Sequence, residues 1–259
     1  FVDLGRMDTA GKKKSLSLIA PLKDLPDKIP SQVIEAVPED KGLKQDIFRS
    51  LERQTGPNTL FCTNTSAIRI DELADGMTAP DRLVGTHFWN PAHLVPLVEV
   101  IPGKATSEAS MLQAMSLMKR IGRKPVRINQ DLPGFVGNRL QHALQREALA
   151  LVEDGVISPE DLDRVVRYSF GLRMPLMGPF ERADLGGLDV TLKVHRYLLP
   201  YLDRRIEPAR ILQDLVDRGR CGLKTGRGFF DWEPGKARKR TRARDAALLK
   251  ILEIMSEID

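Results

Sequence analysis

A histidine and a glutamate twelve residues apart are the first residues in this chain whose types could do chemistry together. Over residues 83–99, LVGTHFWNPAHLVPLVE, a short apolar strand at 83–84 leads into a polar turn carrying His87 and Asn90. A second strand, 97–101, then returns Glu99. Imidazole has an ordinary pKa of about 6.5, so it can take up and release a proton near neutrality. A carboxylate beside it would fix its tautomer and stabilise the imidazolium as it forms. Asn90, in the same turn, would orient the ring or touch a substrate. Taken alone, the pair also fits a surface-turn histidine and an edge-strand glutamate. Two flanking segments, TNTSAI at 63–68 and DLPGFVGNRL at 131–140, add to the pattern.

The elements that must position these residues fall into two halves. Apolar runs at 32–37, 59–63, 83–88, 97–101 and 125–128 read as strands, alternating with helical patterns at 42–54, 67–74 and 107–121. That rhythm predicts an α/β layer with a mostly parallel sheet. Ahead of it, Val2, Leu4 and Met7 could end a helix, and 16–19 reads as a short strand or helix end. After Asp131 the grammar changes. A helix is predicted over 134–154, with Phe135, Leu140, Leu144, Ala148 and Leu151 along one face and Gly155 as its C-cap. Ser158 and Pro159 restart a helix as N-cap and first helical residue. Further helices are predicted at 191–202, 208–218 and 244–258, and no strand alternation of any length appears. The second half is therefore all-helical, with a boundary near 130–133. Phe170, Met174, Met177, Phe180, Leu185 and Leu188 read, with Phe135, as packing residues whose spacing does not separate core from interface.

Bulk properties narrow the class. With 259 residues the chain can bury a substantial core as one large or two modest domains. The net charge of +5 comes from a single run, Lys236, Arg238, Lys239, Arg240, Arg242 and Arg244, which leaves the rest of the chain close to neutral. A nucleic-acid-binding face is not expected from so local a feature. The run leads into an amphipathic pattern with Leu248, Leu249, Leu252 and Met255 on one face, read as a helix docking on the protein or a dimer mate. No apolar run approaches the ~20 residues needed to cross a bilayer. Cys62 and Cys221 give neither a disulfide framework nor metal-ligand spacing. The expected setting is cytoplasmic, with no metal and no membrane partner.

THFWNP with Glu99, NTSAI and PGFVGNRL together resemble the 3-hydroxyacyl-CoA dehydrogenase family, which includes the lambda-crystallin (L-gulonate dehydrogenase) branch. MGPFERADLGGLDV at 177–190 and GLKTGRGFFDW at 222–232 fit the same family, so the resemblance covers about 31–232. It implies a Rossmann-type NAD-binding domain over 1–130, followed by an all-α domain over 131–259 that serves substrate binding and dimerisation. The family carries its dinucleotide turn in a first βαβ unit, and no G-x-G-x-x-G occurs here; the near spelling at 222–228 lies late, in the helical half. The chain given is therefore expected to lack that unit, whether cut away or absent from the natural protein.

The activity implied is NAD-dependent oxidation of an L-3-hydroxyacyl-CoA, such as 3-hydroxybutyryl-CoA, to the 3-oxoacyl-CoA, in fatty acid metabolism. His87 would be the general base and Glu99 its partner. Ser66 and Asn138 would complete the family's catalytic group, donating from a hydroxyl and an amide to the reacting oxygen. Locally, Ser66 could instead cap the following helix, and Asn138 could be an exposed helical residue. Glu39, Lys44 and Asn64 match family positions at the nicotinamide ribose, with Ala36 and Val37 passing under the dinucleotide. Read without the family, Glu39 and Lys44 would be solvated residues at a helix start. Lys12, Lys13 and Lys14 could meet CoA phosphates or form a solvated charge run. A homodimer is implied. The alternatives are a dehydrogenase of a small free hydroxy acid, L-gulonate or carnitine-like, and a non-catalytic crystallin-like relative that has lost the cofactor turn.

Overall fold

Short runs of apolar residues bounded by helix caps fold as the strands and helices of the first half. The computed structural model describes residues 2, 5, 7–24 and 31–258; Leu4, read above as part of a helix end, lies outside them. In order come α1 (Thr9–Ser17), β1 (Gln32–Glu35), α2 (Lys41–Gln54), β2 (Leu60–Thr63), α3 (Ile70–Leu73), β3 (Leu83–Phe88), β4 (Leu97–Pro102), α4 (Glu108–Arg120) and β5 (Lys124–Arg127). Lys12, Lys13 and Lys14 lie on α1, a helix that buries none of its residues. The five strands form one sheet in the order β1-β2-β3-β4-β5. β1, β2 and β3 are parallel, β4 is antiparallel to β3, and β5 is parallel to β4. A parallel return needs a crossover of about a dozen residues or more. Residues 89–96 are too few for one, so β4 turns back along β3.

The three central strands, β2, β3 and β4, bury both faces, as strands of a largely parallel sheet covered by helices do. Leu60, Cys62, Val84, Val98 and Val100 pack on one side against Met111, Ala114, Leu117 and Met118 of α4. Phe61, Leu83 and Ile101 point the other way, onto Phe48 and Leu51 of α2 and Ile70 and Leu73 of α3. Asp40 caps α2 by accepting from the Leu43 amide at 2.8 Å, and Ser107 caps α4.

In the first unit three boundaries move by two residues or more from the sequence reading, each for a visible reason. β1 stops at Glu35 because that side chain accepts from the Val37 amide at 2.7 Å and turns the chain. α3 is four residues long, because the amides of Ser66 and Ala67 bond to Glu39 and that of Ile68 to Thr65 Oγ1. A helix starting at Gly134 does not form, since Gly134 and Phe135 are left-handed, with φ of 73° and 53°. α5 runs instead over Gly137–Glu153.

The chain divides into compact units at 1–139 and 140–259, whereas the sequence reading places the change near 130–133. Residues 131–139 go with the sheet: Asp131 accepts from the Asp71 amide at 3.0 Å, and Phe135 is fully buried in the α2-side cluster.

Most of α5 and all of α6 (Pro159–Tyr168), α7 (Phe170–Arg173), α8 (Pro179–Gly186), α9 (Leu188–Leu198), α10 (Arg210–Asp217) and α11 (Pro234–Ile258) make the second unit. Gly155, with φ of 69°, ends α5, and Ser158 and Pro159 start α6 as their types predict. Glu153 bonds Arg205 and the Ile211 amide, and Glu147 accepts from the Asp203 amide at 2.7 Å, tying α5 to residues 203–211. The basic run is not separate from the final helix. Lysine and arginine are good helix formers, and α11 is continuous over 25 residues.

The apolar residues of this unit were left open between core and interface by their spacing. Phe170, Met174, Leu185 and Leu188 are exposed, and Phe180 is 86% exposed. They do not form a core within one chain. Among the described residues no helix is long and apolar enough to cross a membrane.

Phe48, fully buried and edge-on to Phe61 at 6.1 Å, is a sensitive probe of the first unit. Phe48→Ala is expected to lower the unfolding free energy by about 3–5 kcal/mol in a urea titration. A loss under about 1 kcal/mol would remove it from the core.

Candidate active site

The reversal of β4 makes the central contact of the site. In the antiparallel register His87 lies directly opposite Glu99, on the same face. His87 is thus within β3 rather than in the turn after it, and both side chains are buried, at 4% and 2% exposure. Nδ1 of His87 lies 2.8 Å from Oε2 of Glu99. The other carboxylate oxygen, Oε1, accepts from the amides of Val136 and Gly137, each at 3.0 Å.

Those two amides are aimed by the turn before them. Phe135 holds a left-handed conformation that bulky residues rarely adopt, and such outliers collect at functional sites. Behind the turn begins α5, whose first amides have no partner inside the helix and whose N-terminus carries partial positive charge. Glu99, far away in sequence, meets both needs.

Burial works to raise the Glu99 carboxyl pKa, but the His87 ring and the Gly137 and Val136 amides outweigh it and hold it below 4.5. An ionised Glu99 can only accept, so Nδ1 carries the ring proton. Nε2 is left as the basic nitrogen, with no partner among the described residues. Trp89 and Phe135 flank the ring, with centroids at 5.3 and 5.6 Å. Gly137 is required against Trp89: a Cβ there would lie 2.2 Å from the indole.

The structure brings Ser66 and Asn138 together. Ser66 is exposed in the loop after β2, and Nδ2 of Asn138, in the first turn of α5, donates to the Ser66 carbonyl at 2.9 Å. Ser66 does not cap α3, whose N-cap is Arg69. Its hydroxyl has no protein partner among the described residues. Asn90 is exposed and makes no hydrogen bond to His87; Glu99, Trp89 and Phe135 hold the ring instead. Trp89 and Phe135 were missed as wall residues by sequence reasoning. Their one signal was being aromatic within the His87 and PGF motifs.

The cofactor-side residues gather at the carboxyl ends of β1 and β2, where ligands of open α/β sheets bind. Ala36 is exposed just past β1, and its small side chain leaves the strand end open to close approach. Oδ1 of Asn64 accepts from the Phe88 amide at 2.9 Å, which leaves its amide group free to donate. Oε1 of Glu39 accepts from the Thr65 hydroxyl at 2.6 Å and from the Ser66 and Ala67 amides at 2.9 and 3.0 Å. Burial raises the Glu39 pKa, but those bonds and nearby Lys44 more than offset it, leaving it lowered.

Lys44 is not solvated. Its side chain is 1% exposed, and its ammonium meets Glu35 at 2.7 Å, the Val37 carbonyl at 3.2 Å and Glu39 at 3.5 Å. It donates hydrogen bonds to Glu35 and Val37 and forms an ion pair with Glu39. The open strand end, the Asn64 amide and half-exposed Glu39 fit a dinucleotide. Lys44 reaches that edge through Glu39. Among the described residues, no three His, Cys, Asp or Glu side chains are grouped to hold a metal.

The depressed Glu99 pKa carries a linkage consequence. Its contribution to stability is fully present above 4.5 and is lost as pH falls through the lower folded value. Glu99→Gln is therefore expected to flatten the loss of stability below about pH 4.5 in urea titrations at fixed ionic strength. Equal acid slopes in variant and parent would show that Glu99 is not held as described.

Comparison with known proteins extends the geometry. The 3-hydroxyacyl-CoA dehydrogenase NAD binding domain matches residues 1–132, and the C-terminal domain of the same family matches 134–232. A 5-formyl-3-hydroxy-2-methylpyridine 4-carboxylate 5-dehydrogenase of Mesorhizobium japonicum is 38% identical over 224 residues, covering 85% of this chain and 72% of that protein. A probable 3-hydroxybutyryl-CoA dehydrogenase of Bacillus subtilis is 41% identical over 202 residues, 78% of this chain and 69% of the other. Among solved structures, a 5-formyl-3-hydroxy-2-methylpyridine 4-carboxylic acid 5-dehydrogenase, described as an NAD+-dependent dismutase, superimposes with a TM-score of 0.86 at 35% identity, covering 88% of this chain and 74% of that one. The (S)-3-hydroxybutyryl-CoA dehydrogenase of Ralstonia eutropha gives 0.68 at 31% identity, with 90% and 81% covered. A partly parallel sheet followed by helices, with an NAD-binding match on the first and a C-terminal-domain match on the second, makes this chain a member of the 3-hydroxyacyl-CoA dehydrogenase family and an NAD-dependent oxidoreductase of that type.

Proposed function

We propose that the protein oxidises the hydroxyl of an L-3-hydroxyacyl-CoA, such as 3-hydroxybutyryl-CoA, to the 3-oxo thioester. The observation that carries this reading is the buried His87–Glu99 pair, in which Glu99 engages Nδ1 and leaves Nε2 to face a substrate. Nε2 takes the hydroxyl proton. Glu99 stays anionic and stabilises the imidazolium without taking the proton itself. Ser66 Oγ and the Asn138 amide donate to the substrate oxygen as its charge changes. NAD supplies the hydride acceptor. Ala36, Val37, Glu39 and Asn64 line its side of the site, with Lys44 acting through Glu39. Asn90, exposed and free of His87, is available to the substrate. Relatives named probable 3-hydroxybutyryl-CoA dehydrogenase in Bacillus subtilis and 3-hydroxybutyryl-CoA dehydrogenase in Clostridioides difficile support the thioester, and a cytoplasmic place in fatty acid metabolism is part of the same proposal.

A second substrate reading has its own support in the likeness to the pyridine carboxylate dehydrogenase. A hydrated formyl carbon, like a carbinol, gives up a hydroxyl proton and a hydride, so the same base serves both. Here the substrate is a free acid with no CoA.

The exposed apolar residues of the second unit support a homodimer. Phe180, Tyr197, Tyr201 and Ile206 are 74–93% exposed, and helices α6 to α10 bury none of their own residues. Apolar surface of this extent marks an interface, and a second copy supplies a matching apolar face. Sedimentation should give twice the chain mass, and a monomer at micromolar concentration would end the proposal.

His87→Gln is expected to lower the rate of NADH oxidation with acetoacetyl-CoA by a factor of about 10² or more. An unchanged rate would remove His87 as the base. Activity of the parent protein on free acids alone would pass the substrate to the second reading.

A further inference from the structure

Glu35 lies outside the candidate site, yet it is one of the few buried charges of the first unit, 4% exposed at the end of β1. Its carboxylate has two sets of partners. Oε2 accepts from the Thr63 hydroxyl at 2.6 Å, and Thr63 Oγ1 in turn accepts from the Thr65 amide at 3.3 Å. Oε1 meets the Lys44 ammonium at 2.7 Å, and Lys44 meets Oε2 of Glu39 at 3.5 Å. Oε1 of Glu39 then takes the Thr65 hydroxyl and the Ser66 and Ala67 amides. The Glu35 carbonyl accepts from the Asn64 amide at 2.8 Å. Two routes from one carboxylate thus converge on residues 63–67. Every backbone amide from Asn64 to Ile68 is held, the last by Thr65 Oγ1.

From this we infer that Glu35, with Lys44 and Glu39 as its relay, is a positioning residue: it fixes the loop that presents the Ser66 hydroxyl to the reacting oxygen. A buried ion pair is weak evidence for stability, because desolvation offsets the attraction, whereas it fixes geometry well. The loop needs such fixing, since Ser66 is exposed and its side chain is not anchored. Only the carbonyl of Ser66, through Asn138, and its amide, through Glu39, hold it in place. Without Glu35, Lys44 has Glu39 as its sole carboxylate partner and draws it from the Ser66 and Ala67 amides.

The inference rests on Ser66 acting at the substrate oxygen, so the test measures both. Glu35→Gln, Ser66→Ala and the double variant are compared in the full-length protein, by kcat with acetoacetyl-CoA. Glu35→Gln is expected to lower kcat at saturating NADH about tenfold or more and to add no further loss on top of Ser66→Ala. Losses that multiply in the double variant would overturn the inference, as would an unchanged kcat for Glu35→Gln when Ser66→Ala is impaired. A fully active Ser66→Ala would overturn the functional reading of Ser66 and this inference with it. Should Glu35→Gln not fold, Glu35→Gln with Lys44→Met removes both buried charges and keeps the packing; it is read by kcat at saturating NADH, alone and on top of Ser66→Ala.

Discussion

One carboxylate, that of Glu99, is where the acid–base chemistry and the fold meet. A buried ionised carboxylate must be paired and hydrogen-bonded or it destabilises the protein by several kcal/mol. Glu99 reaches that state by accepting a hydrogen bond from His87 Nδ1 on one oxygen and from two backbone amides on the other. Each bond also does something for its donor. The ring acquires a single tautomer, residues 131–139 are held to the sheet, and α5 receives a cap that its own sequence does not supply.

This arrangement depends on the direction of β4. Parallel strands deliver their functional groups at their carboxyl ends, and β1, β2 and β3 do so with Glu35, Thr63 and His87. A fourth strand running the same way would place Glu99 in mid-strand, out of register with His87. Because the link 89–96 is short, β4 reverses and brings Glu99 opposite His87 near the same end of the sheet. A loop too short for a crossover thus sets the geometry of the proposed base.

How much of this could be read from the sequence follows from which forces are local. The strand–helix rhythm, the Ser158-Pro159 start and the Gly155 stop depend on a few neighbouring residues, and they fold as their types predict. His87, Glu99, Ser66 and Asn138 could be picked out as candidates for the same reason, because each stands in a short motif. The run 83–88 folds as β3, while the shorter strand 83–84 with His87 in a turn does not, since a strand buried on both faces shows no period-2 pattern to mark where it stops. Lys44 could not be placed, because its burial comes from Glu35 across the β1–α2 turn, and a lysine on an amphipathic helix ordinarily reads as solvated. The helix at 134 was expected from a proline at its start. That expectation failed on the left-handed Gly134–Phe135 pair, whose conformation is maintained by bonds to Glu99. In the second unit the spacing of apolar residues is the same for a core as for an interface, and only the exposures show that they form no core within one chain.

Glu99 and Glu39 follow one rule. Each puts one oxygen toward a side-chain partner, His87 or Lys44, and gives the other to two consecutive backbone amides, 136–137 or 66–67. A carboxylate used this way is a staple: it turns a loop, which by itself would sample many conformations, into a fixed ledge at a strand end. The amides belong to the backbone, so the ledge tolerates changes in the side chains it carries and fails when the carboxylate or the turn is altered. Ser66 stands on one ledge and Asn138 at the edge of the other, and the Asn138 amide joins the two by its bond to the Ser66 carbonyl. The groups proposed to meet the substrate oxygen are therefore placed by glutamates that need not touch the substrate. That is why a site built largely on loops can be held to the tolerance that proton and hydride transfer require.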